Sequence, residues 1–255
     1  MQEVEQSKEY KVKMIENSIL KINKTGNKAN VFELTFPSLQ LVELAIHIGF
    51  DAIHLDGEHG TFSETDVDNI CRIANGFGKS VTARVPDNSP YQINLYLDRG
   101  IQGIIGPHIN SKDDAQKLVD ACLFPGSGER SWGGGRGTEY NDDVKIREKY
   151  QGKLNFSTWS NQNMLVIAQI ESKDASENID DILSVKGLSG ITGGPNDFAA
   201  SLGFPGEPDN KIRIEHTKKV EEKTRKTGKV VYDDICNKLS IMDLMLKNAR
   251  DFIIK

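Results

Sequence analysis

The sequence has few cysteines and no long apolar run, and each shortage excludes a class of protein. It contains 3 cysteines, Cys71, Cys122 and Cys236, without a CxxC pair, so neither a disulfide framework nor a zinc site is predicted. No stretch of about 18 apolar residues occurs that could span a membrane. The charged N-terminus, "MQEVEQSKEYKVKMIENSIL", lacks the apolar segment of a signal peptide. We therefore expect a cytoplasmic protein with no membrane partner.

The sequence also lacks the basic clusters of a nucleic-acid-binding protein. Its 32 Lys and Arg residues are outnumbered by 37 Asp and Glu residues, which gives a formal net charge of -5. No Lys/Arg-rich block interleaved with aromatic residues occurs, and aromatic residues make up only 7% of the chain. Nucleic-acid-binding surfaces need concentrated positive charge, so we expect no nucleic-acid partner.

What the sequence does contain is a repeated alternation of short apolar runs and amphipathic segments. "NVFELTF" is followed by a helical pattern with Leu41, Leu44 and Ala45 on one face, which Gly49 ends. The alternation continues to eight predicted strands, the last two being "KVVYDDI" and "DFIIK". Such alternation requires parallel crossovers. Eight units without a nucleotide-binding fingerprint favour an α/β fold of the (β/α)8 TIM-barrel type over a doubly wound sheet.

We expect a single barrel domain over residues 1–255, with residues 1–28 as an N-terminal helical extension. Residues 124–163 include "FPGSGERSWGGGRG", which is too glycine-rich for regular structure and predicts a long functional or mobile loop. The chain stops at Lys255, directly after the last predicted strand. The barrel is therefore expected either to lack its last helix or to have the exposed strand covered by a partner chain.

Polar residues follow the predicted strands at the end where barrels carry their functional side chains. Because the carboxyl ends of parallel strands meet on one face, we expect these residues to cluster. In chain order they are Asp56, Glu58, His59, Arg84, His108, Gln169, Glu171, Gly194, Pro195, Asn196 and Asp197.

The residue types at these strand ends suggest acid, base and metal chemistry. Glu171 and Asp197 could hold Mg²⁺ or Mn²⁺ through oxygen ligands, or each could cap the following helix. Arg84 must pair with protein carboxylates or with a substrate oxyanion, because an unpaired buried guanidinium is costly. His59 could be a proton shuttle or a polar surface residue, and we interpret His108 as a bystander.

Taken together, the strand-end motifs resemble those of the HpcH/HpaI aldolase family, the metal-dependent class II pyruvate aldolases of the phosphoenolpyruvate/pyruvate barrel superfamily. The similar stretches occur in the family's order over roughly residues 30–205. They are "FDAIHLDGEHG", "TARVPDNSPYQINLYLDRGIQGIIGPHINSKDDAQ", "FPGSGERS" and "VIAQIESKDASENIDDILSVKGLSGITGGPNDFAASLG". The combination of D-x-E-H, A-R-V-P, Q-I-E and G-P-x-D is specific, whereas each motif alone would be weak.

The resemblance implies metal, substrate and catalytic roles for individual positions. Glu171 and Asp197 match the metal-binding acids. The substrate-binding positions are Gln169, Gly194, Pro195, Asn196 and Asp197. The catalytic positions are Arg84 for the enolate oxygen, His59 as the proton acceptor, Asp98 as an acid that raises the basicity of that histidine, and Asp56 as a neighbouring acid.

The implied function is a carbon–carbon lyase that needs Mg²⁺ or Mn²⁺ and cleaves or forms 4-hydroxy-2-oxo acids through a pyruvate enolate. Its partners would be a small 2-oxo acid and further copies of itself, as a dimer or hexamer. One alternative is a citrate synthase-like condensing enzyme that uses oxaloacetate and acetyl-CoA, and another is an oxaloacetate decarboxylase. A third is a non-catalytic barrel that binds an oxo acid as a sensor or scaffold. The presence of His59, Arg84, Glu171 and Asp197 argues against it, because binding alone needs no base.

Overall fold

The computed structural model describes residues 14–254, in which eight parallel strands form one curled sheet. The strands pair in the order β7-β6-β5-β4-β3-β2-β1-β8, which is the order of a (β/α)8 barrel. The predicted fold class is therefore confirmed. The strands are β1 (Ala29–Leu34), β2 (Ala52–Asp56), β3 (Ser80–Arg84), β4 (Gly103–Gly106), β5 (Leu165–Ile170), β6 (Gly190–Gly193), β7 (Val230–Val231) and β8 (Cys236–Ser240).

Helices follow the strands and surround the sheet. They are α1 (Ser18–Asn23), α2 (Leu39–Ile48), α3 (Glu64–Gly76), α4 (Pro90–Asp98), α5 (Lys112–Cys122), α6 (Asp143–Tyr150), α7 (Lys153–Gln162), α8 (Lys173–Glu177), α9 (Ile179–Leu183), α10 (Pro195–Ser201), α11 (Lys211–Lys226), α12 (Tyr232–Ile235) and α13 (Ile241–Ile253), with a 3-10 helix at Arg136–Asn141. None of those described is long and apolar enough to cross a membrane.

Serine side chains begin several of these helices. Ser38, Ser89 and Ser111 each accept a hydrogen bond from a backbone N–H in the first turn of the helix that follows. Ser63 and Asp66 form a complete capping box at the start of α3. These caps place each helix start at the carboxyl end of the preceding strand, which fixes the length of the loops that carry the polar residues.

Two apolar layers hold the sheet in place. The larger one packs the outer face of the strands against the helices and includes Leu34, Leu55 and Leu118, all fully buried. The smaller one fills the inside of the barrel and includes Val31, Ala52 and Ile167. The polar side chains that follow the strands therefore lie above this inner layer, at the carboxyl ends of the strands.

The N-terminal extension begins with α1, and residues 1–13 lie outside the described part. Asn17 caps α1 and is fully buried, and its amide donates to the carbonyls of Gln102 and Asn163. Ser18 and Ser80 exchange two hydrogen bonds of 2.9 Å. Ile19 of α1 belongs to the inner apolar layer, so α1 covers the amino-terminal end of the barrel.

The carboxyl-terminal quarter differs from the prediction in two elements. The eighth strand is Cys236–Ser240, paired with β1 from Ala29 to Glu33. The predicted strand at "DFIIK" is wrong, because its first three residues end α13. The chain therefore does contain a helix after its last strand. The predicted strand "KVVYDDI" is strand only at Val230–Val231 and then turns into α12. In the described part of the chain, β7 and β8 do not pair with each other, which leaves a seam.

The predicted loop at residues 124–163 is also more regular than expected. Only its first half is irregular, and the second half forms α6 and α7. Phe124, Ile146 and Phe156 form a separate small core there, with Trp132 and Trp159 packed against it. Aromatic packing rather than helix periodicity orders this segment, because the apolar residues of α6 and α7 do not lie in one continuous stripe.

Candidate active site

Seven of the predicted strand-end residues line one cavity of about 230 Å³ at the carboxyl ends of the strands. Its wall is built from β1 to β6, β8, α10, α12 and the loop after β2. The seven residues are His59, Arg84, Gln169, Gly194, Pro195, Asn196 and Asp197. The geometry therefore brings these seven residues together on one cavity.

Arg84 is held in place by two acids. Asp56 and Arg84 are directly paired residues of β2 and β3, so their side chains lie beside each other. Arg84 Nε and Nη2 donate to Asp56 at 2.9 and 2.7 Å, and Nη1 lies 2.9 Å from Glu58 Oε2. Burial would raise the pKa of Asp56, but the hydrogen bonds and charge of Arg84 outweigh it and lower that pKa below its usual value. The pairing fixes the guanidinium at the mouth of the cavity.

Glu171 is a nearly buried carboxylate directly after β5, with 2% of its surface exposed. Its Oε1 accepts from the backbone N–H of His108 at 2.9 Å and lies 3.0 Å from His108 Nδ1, while Oε2 accepts from Gln169. Burial raises the pKa of Glu171, and the hydrogen bond from the His108 backbone only partly offsets this. Among the described residues, no lysine or arginine forms an ion pair with this carboxylate.

His108 links the two halves of the site. Its Nε2 lies 3.1 Å from Glu58 Oε1, and its Nδ1 faces Glu171. The backbone of His108 has φ of 53°, in the left-handed region that residues other than glycine seldom adopt. An unbroken series of contacts therefore runs from Asp56 through Arg84, Glu58 and His108 to Glu171.

Asp197 lies in the first turn of α10, on the loop that follows β6, and is exposed. Gly194 brings this loop close to Glu171, because a methyl group on Gly194 would overlap Glu171 Oε2 and approach Gln169 Nε2 to 2.8 Å. A larger residue would push the loop away. Among the described residues, no three His, Cys, Asp or Glu side chains are grouped as a metal site. Any cation between Glu171 and Asp197 would keep further positions for water or substrate.

His59 stands at the rim of the cavity and is largely exposed. Its Nε2 lies 3.9 Å from Glu58 Oε2, and its backbone N–H donates to Asp56 Oδ1 at 3.3 Å. The side chain is therefore free to reach a ligand in the cavity.

The inner wall of the cavity carries a second polar group of residues. Glu33 of β1 pairs with His54 of β2. Lys238 of β8 pairs with Val31, which lies two residues before Glu33 on β1. Lys238 Nζ is 2.6 Å from Glu33 Oε2, and His54 Nδ1 and the Thr82 hydroxyl oxygen are hydrogen-bonded at 2.8 Å. Burial lowers the pKa of His54 to about 4, so its ring is neutral near pH 7. Tyr232 completes this wall.

Comparison with known proteins agrees with the geometry. Residues 34–254 match the family described as HpcH/HpaI aldolase/citrate lyase. The chain belongs to this family. It is 30% identical over 176 residues to the hydroxypyruvate/pyruvate aldolase of Sagittula stellata. The match covers 69% of this chain and 66% of that protein. It is also 30% identical over 178 residues to a 2-keto-3-deoxy-L-rhamnonate aldolase of Escherichia coli, 64% of whose length is matched.

Solved structures share the fold of this HpcH/HpaI family chain. The HpcH/HpaI aldolase from Desulfitobacterium hafniense superposes with a TM-score of 0.79 at 22% identity, over 92% of this chain and 95% of that one. Macrophomate synthase superposes with a TM-score of 0.76 at 18% identity, over 94% and 91% of the two chains. At these identities the likeness concerns the fold alone.

One residue implied by the family resemblance does not reach the cavity. Asp98 ends α4, and its carboxylate lies against Gly133 of the glycine-rich loop. Burial raises the pKa of Asp98, and the charges of Arg130 and Arg99 partly oppose this. The described contacts of Asp98 do not include His59. Helix α4 starts at the carboxyl ends of the strands and runs away from them, so its last residue lies at the far end of the barrel.

Two residues of the site were not assigned a role from the sequence. No motif assigns a function to the strand-end acid Glu58, although it contacts Arg84, His59 and His108. His108 was interpreted as a bystander, and it bridges two acids instead. The sequence does contain a signal for both residues, because acids outnumber cations at the predicted strand ends. Each buried acid needs a nearby hydrogen-bond donor, and His108 is such a donor.

Proposed function

We propose that the protein is a divalent-metal-dependent carbon–carbon lyase that cleaves or forms 4-hydroxy-2-oxo acids, with pyruvate as the common product or donor. The observation that carries the proposal is the convergence of Arg84, His59 and Gln169 on one cavity beside the buried Glu171. The relatives named as aldolases of hydroxypyruvate, pyruvate and a 2-keto-3-deoxy acid support the substrate class.

The residues present fit a hard divalent cation, Mg²⁺ or Mn²⁺. Asp56 and Glu58 contact a single arginine, Arg84, and the nearby Glu171 adds a third negative charge, so these groups carry more negative than positive charge. A buried carboxylate without a cationic partner is costly. Glu171 and Asp197 would hold the ion, which supplies Lewis-acid stabilisation of negative charge on the keto oxygen of the substrate.

The chain's own residues account for the remaining steps. Gln169 and the 194–196 loop orient the oxo acid in the cavity. His59 accepts the proton of the 4-hydroxyl as the bond between C3 and C4 breaks, and the aldehyde leaves with its new carbonyl. The bonding electron pair stays with C3 as the enolate of pyruvate, whose oxygen Arg84 stabilises with the N–H groups that Asp56 and Glu58 leave free. Protonation at C3 then gives pyruvate.

The test is pyruvate release from 4-hydroxy-2-oxo acids with product identification. Activity should stop with EDTA and return with Mn²⁺ or Mg²⁺, and unchanged turnover in EDTA would refute the metal requirement. Arg84→Ala should lower turnover far more than it lowers Mn²⁺ affinity. Equal loss of both would instead favour a protein that only binds the oxo acid.

The citrate synthase-like and oxaloacetate decarboxylase alternatives use the same enolate stabilisation. Thiol release from acetyl-CoA in the presence of oxaloacetate, measured at full metal occupancy, distinguishes the condensing enzyme. Loss of carbon dioxide from oxaloacetate without an aldehyde acceptor distinguishes the decarboxylase. Either activity exceeding aldol cleavage would replace the proposal.

We also propose a cytoplasmic homo-oligomer, a dimer or hexamer. The end of α13 supports this, because Met245, Phe252 and Ile254 are 58%, 81% and 82% exposed. Neighbouring apolar side chains of this size are seldom left in water by a monomer. Light scattering coupled to gel filtration measures the mass directly, and a monomer of 28.3 kDa at micromolar concentration would contradict the proposal.

A further inference from the structure

The barrel is open between β7 and β8, because the connection between these strands is too short to cross over. Two neighbouring parallel strands need a connection of about a dozen residues or more, usually a helix that packs on the sheet. Here α12, with 4 residues, separates them, and β7 and β8 do not pair among the described strands. In this part of the described chain α12 is the whole connection, and it is too short to cover the outer face of the sheet beside β7.

A second cavity, of about 340 Å³, opens at this seam beside the active-site cavity of about 230 Å³. One face of α11 contributes Arg213 and Thr217 to its wall, one helical turn apart. Its floor is apolar and consists of side chains no more than 4% exposed, which are Ile191, Phe198, Val220 and Val231. The cavity is therefore suited to a small molecule with an apolar part, and the polar groups of α11 decide what else that molecule carries.

Arg213 lines this cavity with unused hydrogen-bond donors. Its Nε donates to the carbonyl of Pro208 at 2.7 Å, and its Nη1 donates to the Thr217 hydroxyl oxygen at 3.4 Å. A guanidinium group has five N–H hydrogens, so three of them remain without a partner among residues 14–254. The side chain is half-buried. A partly buried guanidinium with free donors favours an anion, which Nη1 and Nη2 can bind as a fork.

Two of the other charged residues on this cavity are already paired. Glu221 accepts from a neighbouring arginine of α11 at 3.2 Å, and Lys238 is 2.6 Å from Glu33. Asp233 also lines the cavity and is exposed, which disfavours a ligand with two negative charges. Arg213 is therefore the cation on this wall that no described acid neutralises. One free guanidinium above an apolar floor favours a single carboxylate on an aliphatic chain.

The second cavity and the active-site cavity share the loop after β6. Gly193, Gly194 and Pro195 line both cavities. Asp197 lines the active-site cavity, whereas the next residue, Phe198, lies in the floor of the second one. A ligand packed against Phe198 would therefore hold the start of α10, and with it Asp197, in one position.

We propose that this second cavity binds a small aliphatic carboxylate as an effector, with Arg213 on the carboxylate and the apolar floor on the chain. Binding of the acid is independent of the proposed lyase function. Its effect rests on that function, because the shared loop carries Asp197, which we propose as a metal ligand. Coupling between two sites is reciprocal, so the acid and Mn²⁺ should strengthen each other's binding by the same factor.

Calorimetry of the full-length protein with pentanoate, after removal of metal with EDTA, tests the site. Pentanol keeps the chain without the charge and acetate keeps the charge without the chain, so each should bind about tenfold more weakly. Arg213→Met should weaken pentanoate binding about tenfold, and Arg213→Lys, which keeps the charge but not the fork, should fall between. Lys223→Met is the matched control and should bind normally, because it removes an equal charge from α11 at an exposed ion pair with Asp180.

Arg84→Ala identifies the cavity that the acid occupies. Pentanoate should bind this variant normally, and loss of binding would overturn the site by placing the acid in the active site. Equal binding by wild type and Arg213→Met would also overturn it. Dissociation of an oligomer by Arg213→Met, without pentanoate binding to wild type, would assign the cavity to a second copy of the chain instead.

Mn²⁺ titrations with and without saturating pentanoate test the effector role. The affinity for Mn²⁺ should rise about fivefold or more when the acid is bound. An unchanged affinity would overturn the effector role while leaving the lyase intact. Absence of Mn²⁺ binding under both conditions would refute the metal-dependent lyase and the effector role together, whereas pentanoate binding that depends on Arg213 would still stand.

Discussion

Replacing Asp56 by asparagine tests whether the pairing with Arg84 organises the site. Asp56 accepts two hydrogen bonds from Arg84, and the side chains are 10% and 18% exposed. Breaking a buried ion pair costs about 3–5 kcal/mol. The asparagine oxygen still accepts one hydrogen bond and Glu58 still faces Arg84, so we expect a loss of about 1–3 kcal/mol. In a protein of this size the melting temperature should fall by about 2–12 °C.

The pH dependence of that loss follows from the lowered pKa of Asp56. A carboxyl group whose pKa is lower in the folded state stabilises the fold above its unfolded pKa, about 3.9. This stabilisation disappears as the pH falls through the folded pKa. The difference between wild type and Asp56→Asn should therefore be constant from about pH 5 to 7 and shrink below about pH 4.

Urea unfolding at several pH values measures both effects. A double-mutant cycle with Arg84→Met isolates the coupling between the two side chains. Asp113→Asn is the control, because its exposed ion pair with Lys117 should contribute less than about 1 kcal/mol. Unfolding free energies of wild type and Asp56→Asn that agree at pH 7 would refute the reasoning. So would a difference that does not change down to the acid limit of folding.

Three further substitutions test the metal site and the fold. Glu171→Gln should abolish the melting-temperature increase that Mn²⁺ gives wild type, because it removes the buried carboxylate proposed to hold the ion. A retained Mn²⁺ effect would exclude Glu171 as a ligand. Gly194→Ala should weaken Mn²⁺ binding at least tenfold by calorimetry, whereas Gly193→Ala, where an added methyl meets nothing within 4 Å, should bind normally. Ser63→Ala should cost about 1 kcal/mol in urea unfolding through the lost capping box, without changing Mn²⁺ affinity.

The alternation of apolar runs and amphipathic segments predicts the first six strands because both signals are strong there. Ser38, Ser63 and Ser111 mark helix starts that the structure confirms. The eighth strand, "CNKLS", has only two apolar residues, and pairing with β1 rather than its own pattern makes it a strand. "DFIIK" is a short apolar run, which periodicity cannot assign to a strand or a helix end.

Convergence of the site follows from topology, since parallel strands bring Arg84, Gln169 and Asp197 to one face whatever their separation in sequence. Individual contacts do not follow from it. The position of Asp98 at the far end of α4 depends on helix length and direction, which a motif match does not contain. The role of Glu58 depends on side-chain directions in the loop after β2, where neither strand nor helix periodicity applies.

His108 shows where local sequence rules fail for a physical reason. A left-handed histidine costs roughly 1–3 kcal/mol, so the surrounding contacts must hold it in place. Glu58 and Glu171 provide those contacts through the two ring nitrogens, and the His108 backbone N–H adds a third, to Glu171. The unusual backbone is what allows one residue to offer a ring nitrogen and an amide to the same buried carboxylate. Residues that break local preferences while satisfying buried charge are typical of functional sites. We therefore expect His108 to support the site by holding Glu171 and Glu58, although no sequence pattern assigns it that role.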